Sequence, residues 1–372
     1  MKITVVGGGV IGCVTAYELA KAGCAVTLFE RATPGAEASG AAAGLLTPLG
    51  DTPGSAYDRL ALESWRLYPA LVDELRQRSG IDVEYVTRGT VYPLLDAEDV
   101  RRAEARVTGR EVTEFGIEAW DTTDVRVREP ALATRVRGAM FIAGEHWVNN
   151  QRLVVAYAQA AVAAGVVLRA GTSVSRVIVE DGRTHGVVAD GDRWDADAVL
   201  LAAGAWTGAL AASFGARLRV EPARGQMVAV AHVPPVLHHA VHGPDVYLVP
   251  RPSGELLIGA TVERVGFQRS VTAEGISSLL TAATALVPSL GPLPITRTWY
   301  GFRPWAPDSL PILGPWPDVE GLWVATAHFR SGILLAPITA RVMTSWMTSG
   351  GPGVDVDAFA PERFLTRDRS AP

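Results

Sequence analysis

The chain has 372 residues, 48% of them hydrophobic, with a mean hydropathy of +0.18. At roughly 100 to 200 residues per domain this suits two compact domains and excludes a disordered or fibrous chain. A formal net charge of −5 and a pI near 5.9 exclude the basic surface that phosphate contacts require, so nucleic acid is not an expected partner. No apolar run of 18 residues free of charge occurs, so no membrane span is expected. The first strand begins at once, which leaves no room for a signal peptide and makes a cytoplasmic location the expectation. Lysine occurs only as Lys2 and Lys21, so no later lysine is available as a base, a Schiff-base former or an oxygen-activating group. Cys13 and Cys24 both fall in the opening unit and read as small core residues, with no disulfide framework and no metal site.

In chain order, an apolar strand Ile3 to Val6 runs into Gly7-Gly8-Gly9-Val10-Ile11-Gly12, then a helix, then a second strand Ala25 to Phe29 ending at Glu30. This pattern reads as a dinucleotide-binding unit. Gly7 allows the sharp turn off the strand, Gly9 lets backbone N–H groups approach a pyrophosphate, and Gly12 lets the helix pack closely on the sheet. The anion would sit at the helix N-terminus, near Val10 and Ile11. Glu30, 18 residues after Gly12, can accept hydrogen bonds from an adenosine ribose and would repel a 2'-phosphate. The same glycines, taken alone, also suit ordinary turns.

After Arg31 comes an Ala- and Gly-rich stretch, Ala32 to Leu46, whose small residues permit close approach of backbone to a flat ligand. A helix is expected from the cap Ser55 to a stop at Gly80, with Leu60, Leu67, Leu71 and Leu75 on one face. Residues 81–145 alternate strand-like pieces (Val83 to Val86, Thr90 to Leu94, Gly138 to Ile142) with a charged helix around Glu98 to Arg106. A helix Gln151 to Gly165 leads into Val166 to Arg169, Val174 to Val179, Gly186 to Ala189 and the apolar strand Ala198 to Ala202, ending in Ala203-Gly204-Ala205-Trp206. Strands follow at Gln226 to Val230, Val246 to Pro250 and Leu256 to Thr261, then a helix Thr272 to Leu286. A last crossing begins at Trp299, and Gly332 to Trp346 reads as a closing helix.

A nicotinamide dehydrogenase would continue in regular strand–helix alternation. Here the chain leaves for another domain and returns at Leu200-Leu201-Ala202-Ala203-Gly204, a pattern that favours FAD. The carboxy-terminal half carries more specific motifs: Trp299-Tyr300-Gly301-Phe302-Arg303-Pro304, Asp308 to Gly314, His328-Phe329-Arg330-Ser331-Gly332-Ile333-Leu334, Tyr247 to Arg251 and Gly259 to Glu263. With these, nearly the whole chain resembles the D-amino-acid oxidase superfamily of FAD amine oxidases, and within it the glycine oxidase family associated with thiamine thiazole synthesis.

The resemblance implies an α/β fold. A Rossmann-like FAD-binding domain of the glutathione reductase type (1–80, 146–218 and 299–372) would be interleaved with an α+β substrate domain built on an antiparallel sheet (81–145 and 219–298). FAD would be held noncovalently, because sarcosine-oxidase-like relatives use a carboxy-terminal cysteine and a lysine near the flavin that this chain lacks. Beside the opening glycines, the implied cofactor contacts are Arg31, Ser39, Ala42, Ala43, Gly44, Leu45, Val174, Ala203, Gly204, Trp206, Arg303, Arg330, Ser331, Gly332, Ile333 and Leu334. Arg303 would grip the substrate carboxylate with a hydroxyl from Tyr247, while Arg330 lines the site or adds charge beside the flavin. Flavin N5 would take the hydride, so no strong protein base is implied.

Read alone, Arg303 also suits a salt bridge, Tyr247 a half-buried strand position, and His328 a packed loop. The loop Thr47 to Tyr57 corresponds to a lid in relatives, although a plain connection fits equally. Asp245 stands where a better-studied relative has histidine and Val262 where it has methionine, while Ala327 and Ser331 replace glycine and asparagine; strict preference for glycine is therefore not expected. The implied reaction is oxidation of glycine or another small primary or secondary amino acid to an imine, which hydrolyses to an oxo acid, with O2 reduced to H2O2. D-amino-acid or sarcosine-type oxidation, a dehydrogenase, and a non-catalytic FAD-bound partner subunit stay open. Relatives often form homo-oligomers.

Overall fold

The computed structural model describes residues 1–49, 54–106 and 110–366. The elements that position the site are β1 (Lys2–Val6), α1 (Val10–Lys21), β2 (Ala25–Glu30), α2 (Ala56–Ser79), β3 (Thr90–Leu94), β4 (Ile117–Trp120) and β5 (Gly138–Ile142). Then come α3 (Asn150–Ala163), β6 (Val167–Ala170), β7 (Ala198–Leu201), β8 (Glu221–Ala231), β9 (Ala240–His242), β10 (Tyr247–Pro250) and β11 (Glu255–Gly259). Last are β12 (Ile295–Trp305), β13 (Ile312–Pro315), β14 (Leu322–Thr326) and α4 (Gly332–Ser349).

Two sheets organise the chain. The first has the order β13-β14-β7-β1-β2-β6 and is parallel except where β13 meets β14. Its central strands are apolar on both faces because both are covered. Ile3, Val5, Ala198 and Leu200 pack under α1, α2, α3 and α4, whereas Val6, Val199 and Leu201 pack toward a three-stranded side sheet formed by Val174–Glu180, Arg183–Ala189 and Asp192–Asp195. Period-two alternation thus serves two separate cores. Helix α2 follows its sequence signals: the Ser55 hydroxyl accepts from the Asp58 N–H at 3.1 Å, and Gly80 ends it in the left-handed region at φ +71°.

The second sheet, order β12-β8-β11-β10-β9-β3-β5-β4, is antiparallel apart from the β9–β3 pair. One face, with Val228, Val230, Leu248, Leu256 and Ile258, packs in a core with residues of the helix Ala273–Leu286. The other, with Met227, Ala229, Val249 and Leu257, meets Ala43 and Trp147. The expected division at residue 299 falls inside β12, which pairs with β8 from Ile295 to Trp305 with one register shift at Ala229–Val230. Val83 to Val86, expected as a strand, forms only a bridge from Val86 to Trp147. Glu84 stands in the left-handed region at φ +51°, which interrupts the extended run between Val83 and Val86. Among the described residues no helix is long and apolar enough to cross a membrane.

Candidate active site

An elongated cavity of about 690 Å³ runs between the carboxyl ends of the parallel strands and the inner face of the antiparallel sheet. That volume suits a ligand of dinucleotide size, within the ~300–1,000 Å³ of typical ligand pockets. At one end lie Gly7, Gly9, Val10, Ile11 and Glu30; at the other, Tyr247, Arg303 and Arg330.

At the first end, the glycines divide their work as the motif predicts. Gly7 has φ +110°, and a Cβ there would stand 2.5 Å from the Ala202 carbonyl oxygen; a Cβ on Gly12 would lie 1.8 Å from the Gly7 oxygen. Both are packing glycines, and Gly12 accordingly does not line the cavity. Gly9 does, and a Cβ there would meet only Ser39 Oγ, at 3.3 Å. It also begins α1 with no side-chain cap and no acidic residue in the first turn, while Ser39 Oγ accepts from the Val10 N–H at 3.0 Å. Glu30 Oε2 accepts from the Gly8 N–H at 2.7 Å and Oε1 from the Ala32 N–H at 2.8 Å. Each oxygen keeps a lone pair for a further donor. Arg31 lines the cavity, its guanidinium 3.8 Å from the centre of the Trp206 ring and paired with Glu37 at 2.7 Å. Phe267 stacks on Trp206 at 4.7 Å, and Arg269 shares Glu37, so a loop after β11 is tied to the cofactor side.

At the opposite end, Arg303 projects from β12. Its Nη1 donates to the Thr261 carbonyl at 3.0 Å. The guanidinium has room because position 225, on the adjoining β8, is glycine: a Cβ there would stand 2.1 Å from Nη1. The nearby carboxylate, Glu263, is already engaged by buried Arg224, Gln226 and the Thr261 hydroxyl. Among the described residues no ion pair joins Arg303 to an acid; the salt-bridge alternative fails because Arg224 has taken the acid. Burial pushes the Arg303 pKa down, opposed by Tyr247, and Arg330 adds repulsion. Tyr247 donates to the Met227 thioether at 3.3 Å, a weak acceptor that a carboxylate would displace. Burial raises its pKa against the opposing charges of Arg303 and Arg330, so it is a neutral donor at pH 7.

A second helix begins at the cavity. Gly332 opens α4, whose N-cap Ser331 makes no side-chain capping bond and whose first turn has no acid. The Ser331 hydroxyl instead pairs with Tyr57 at 2.5 Å, so this residue does not line the cavity. Leu334 is also displaced from its expected place: it is 2% exposed within the core behind the helix, because successive helical residues rotate by about 100° and the third turns away. Gly332 and Ile333 line the cavity, as do Ala42, Ala43, Gly44, Leu45, Val174, Ala203, Gly204 and Trp206. His328 is buried and bonded to Thr339 at 3.0 Å while also lining the cavity, and burial lowers its pKa to about 3. Ala327, which replaces the glycine common in relatives, holds φ +58°. Asp245 and Val262 both stand exposed at the cavity wall. Of the expected lid, residues 50–53 lie outside the described residues.

The sequence reading missed His242 and Gly225. His242 lines the cavity opposite Tyr247 in the β9–β10 register, its Nδ1 buried without a partner, and burial followed by the Arg330 charge keeps its pKa below the usual value. Gly225 had a legible signal, since an isolated glycine inside a strand marks close approach.

Two helix N-termini whose N-cap residues make no side-chain capping bond, an acid at the end of β2 and glycines at the cavity wall at positions 9 and 332 fit the pyrophosphate, ribose and isoalloxazine of FAD. With the Arg303 guanidinium and the Tyr247 hydroxyl beyond them, the fold and site define a flavin-dependent oxidoreductase. A model of the family described as FAD dependent oxidoreductase matches residues 2–346. The chain is 36% identical over 362 residues to a glycine oxidase of Pseudomonas aeruginosa, covering 97% of this chain and 98% of that one. It is 33% identical over 400 residues to a hydrogen cyanide synthase subunit from the same species, covering 97% and 96%. Among solved structures, glycine oxidase from Geobacillus kaustophilus superposes with a TM-score of 0.92 at 35% identity, covering 98% of this chain and 99% of that one. The chain belongs to the FAD-dependent oxidoreductase family and is an enzyme that uses FAD.

Proposed function

We propose that the chain oxidises glycine or another small primary or secondary amino acid, bound by Arg303 and Tyr247, to the corresponding imine. The observation that carries this reading is the guanidinium of Arg303, held by the Thr261 carbonyl and free of any ion pair among the described residues, with the Tyr247 hydroxyl on a weak acceptor beside it. A planar fork can grip a carboxylate bidentately and fix the carbon next to it. FAD, held along the cavity by Gly7, Gly9, Glu30 and Gly332, would supply the hydride acceptor, with O2 as the final oxidant reduced to H2O2. The protein side of the reaction is binding and orientation. Arg303 and Tyr247 set the carboxylate, Gly332 and Ile333 present the positive end of α4, and neutral His242 adds no charge beside the amine, which releases its ammonium proton to solvent before the neighbouring carbon gives up hydride. The imine then hydrolyses to an oxo acid and ammonia or amine. Val262 and Asp245 at the wall support a substrate range wider than glycine. Both cysteines are free and Cys13 is buried, a usage that supports a cytoplasmic enzyme.

Anaerobic mixing with glycine, sarcosine, D-alanine and D-proline tests the reading: at least one should bleach the flavin band, and subsequent air should yield peroxide. No bleaching with any of them would refute it. Likeness to a hydrogen cyanide synthase subunit favours a second reading, a subunit that works only with partner chains. It predicts bound flavin but no amine-dependent bleaching of the isolated chain.

A further inference from the structure

Arg251 carries a charge that neither the clamp nor the cofactor contacts use. It stands one residue past β10 and is 8% exposed, yet its hydrogen-bond acceptors are all neutral. Nη1 donates to the Val148 carbonyl at 2.6 Å, and Nη2 to the Ala43 carbonyl at 2.8 Å and to Asn150 Oδ1 at 3.0 Å. Burial lowers its pKa to about 10, with Glu84 and Glu255 supporting the charge and Arg297 opposing it, so it remains a cation at neutral pH. Burying a cation without an ion pair is costly, and such a group calls for an explanation.

The acceptors supply one. Asn150, 3% exposed at the start of α3, passes the contact on: its Nδ2 donates to the carbonyls of Ser39 at 2.7 Å and Gly40 at 3.0 Å. Trp299 Nε1, from β12, holds the Ala41 carbonyl at 3.0 Å. The carbonyls of residues 39, 40, 41 and 43 are therefore gripped from behind, and the same stretch forms one wall of the cavity. There is no slack at its end, because a Cβ on Gly44 would stand 2.1 Å from the Val148 oxygen.

We propose that Arg251 is a positioning residue for FAD: its guanidinium, with Asn150, fixes the backbone of Ser39–Gly44 in the shape against which the flavin lies, and ties that wall to the strand bearing Tyr247. The inference rests on the FAD reading of the cavity. A fork reaching three separate acceptors is a task for guanidinium, and an ammonium at the end of a lysine cannot reproduce it.

The test compares apoprotein of the unaltered chain with Arg251→Lys and Asn150→Ala, titrating each with FAD and following flavin fluorescence, with thermal melting of the same apoproteins. The FAD dissociation constant should rise at least about tenfold in both variants. Once saturated with FAD, Arg251→Lys should bind a carboxylate inhibitor such as acetate within about threefold of the unaltered chain, because Arg303 and Tyr247 keep their own partners, the Thr261 carbonyl and the Met227 thioether. FAD binding unchanged within about threefold in the variants would overturn the proposal, even if melting fell, since that pattern describes a structural role alone. If Arg251→Lys does not fold, Asn150→Ala decides by itself. An unaltered chain that fails to bind FAD overturns the cofactor reading instead, and is seen first.

Discussion

Replacing Gly225 with alanine should damage substrate binding while sparing the fold. The added methyl would stand 2.1 Å from Arg303 Nη1 and 2.5 Å from Cζ and Nη2, whereas carbon contacts settle near ~3.5 Å. The guanidinium must retreat by more than about 1 Å. It can do so cheaply, because it is the far end of a flexible side chain. Gly225 is not in the left-handed region, and glycine to alanine in a strand is itself stabilising by roughly 0.5–1 kcal/mol. The melting temperature should hold or rise. The clamp fares differently. Displacement breaks the 3.0 Å bond to the Thr261 carbonyl and misaligns the fork with the carboxylate, forfeiting a charge-assisted contact of about 1.5–3 kcal/mol. That amounts to roughly 10- to 150-fold in affinity. The assay is perturbation of the flavin spectrum by a competitive carboxylate, together with the substrate dependence of anaerobic flavin reduction. Affinity within about threefold of the unaltered enzyme, in a folded protein with bound FAD, would show that Arg303 does not hold the carboxylate from its observed position.

Removing the clamp outright should cost more. Arg303→Ala is expected to weaken carboxylate substrates by about 2–5 kcal/mol, and Tyr247→Phe by about 1.5–3 kcal/mol, both measured as kcat/KM; unchanged values for either would misplace that residue. Stability should also fall on acidification through His328. Its folded pKa is depressed to about 3 from the ordinary 6.5, so the unfolded chain binds the proton first. The stabilising effect is fully present above pH 6.5 and is lost as pH drops toward 3, by about 1 kcal/mol between pH 7 and 5.5. His328→Asn, which retains a side chain able to hydrogen-bond Thr339, should flatten that part of the denaturation profile, and an unchanged slope would contradict the assignment.

How legible each part was depends on the sequence distance over which its geometry is set. The dinucleotide unit is local: strand, glycines, helix and acid lie within residues 2–30, and each constrains the next through backbone sterics. Helix α2 was equally readable, because its cap and its stop are side chains in contact with their own helix. Arg303 and Tyr247 were found only through the motifs around them, since nothing in their immediate neighbours reports that Arg224 occupies Glu263. Gly225 acts on a residue 78 positions away, and Asn150 meets Arg251 across 101 positions. Such meetings follow from strand register and domain packing, which hydrophobic alternation does not encode. Leu334 was misplaced for a related reason: a motif marks a segment of helix, but only the helix's rotation against the core decides which residues face the cavity.

The charges at the site also explain why ligands should matter to its stability. Arg303 is part-buried with a carbonyl for its hydrogen-bond partner, Arg251 is buried among neutral acceptors, and the Arg330 charge lowers the pKa of both Arg303 and His242. In the folded chain Arg330 repels Arg303, and of the acids lining the cavity Glu30 already accepts two N–H bonds, Glu37 pairs with Arg31 and Arg269, and Asp245 stands exposed at the wall. A bound carboxylate relieves that repulsion directly, and a dinucleotide carries negative charge to the α1 terminus. A ligand that binds the folded chain alone adds RT ln(1 + [L]/Kd) to stability, about 2.7 kcal/mol at a hundredfold excess over Kd. The arrangement trades some stability of the empty protein for a site already charged and oriented when the substrate arrives.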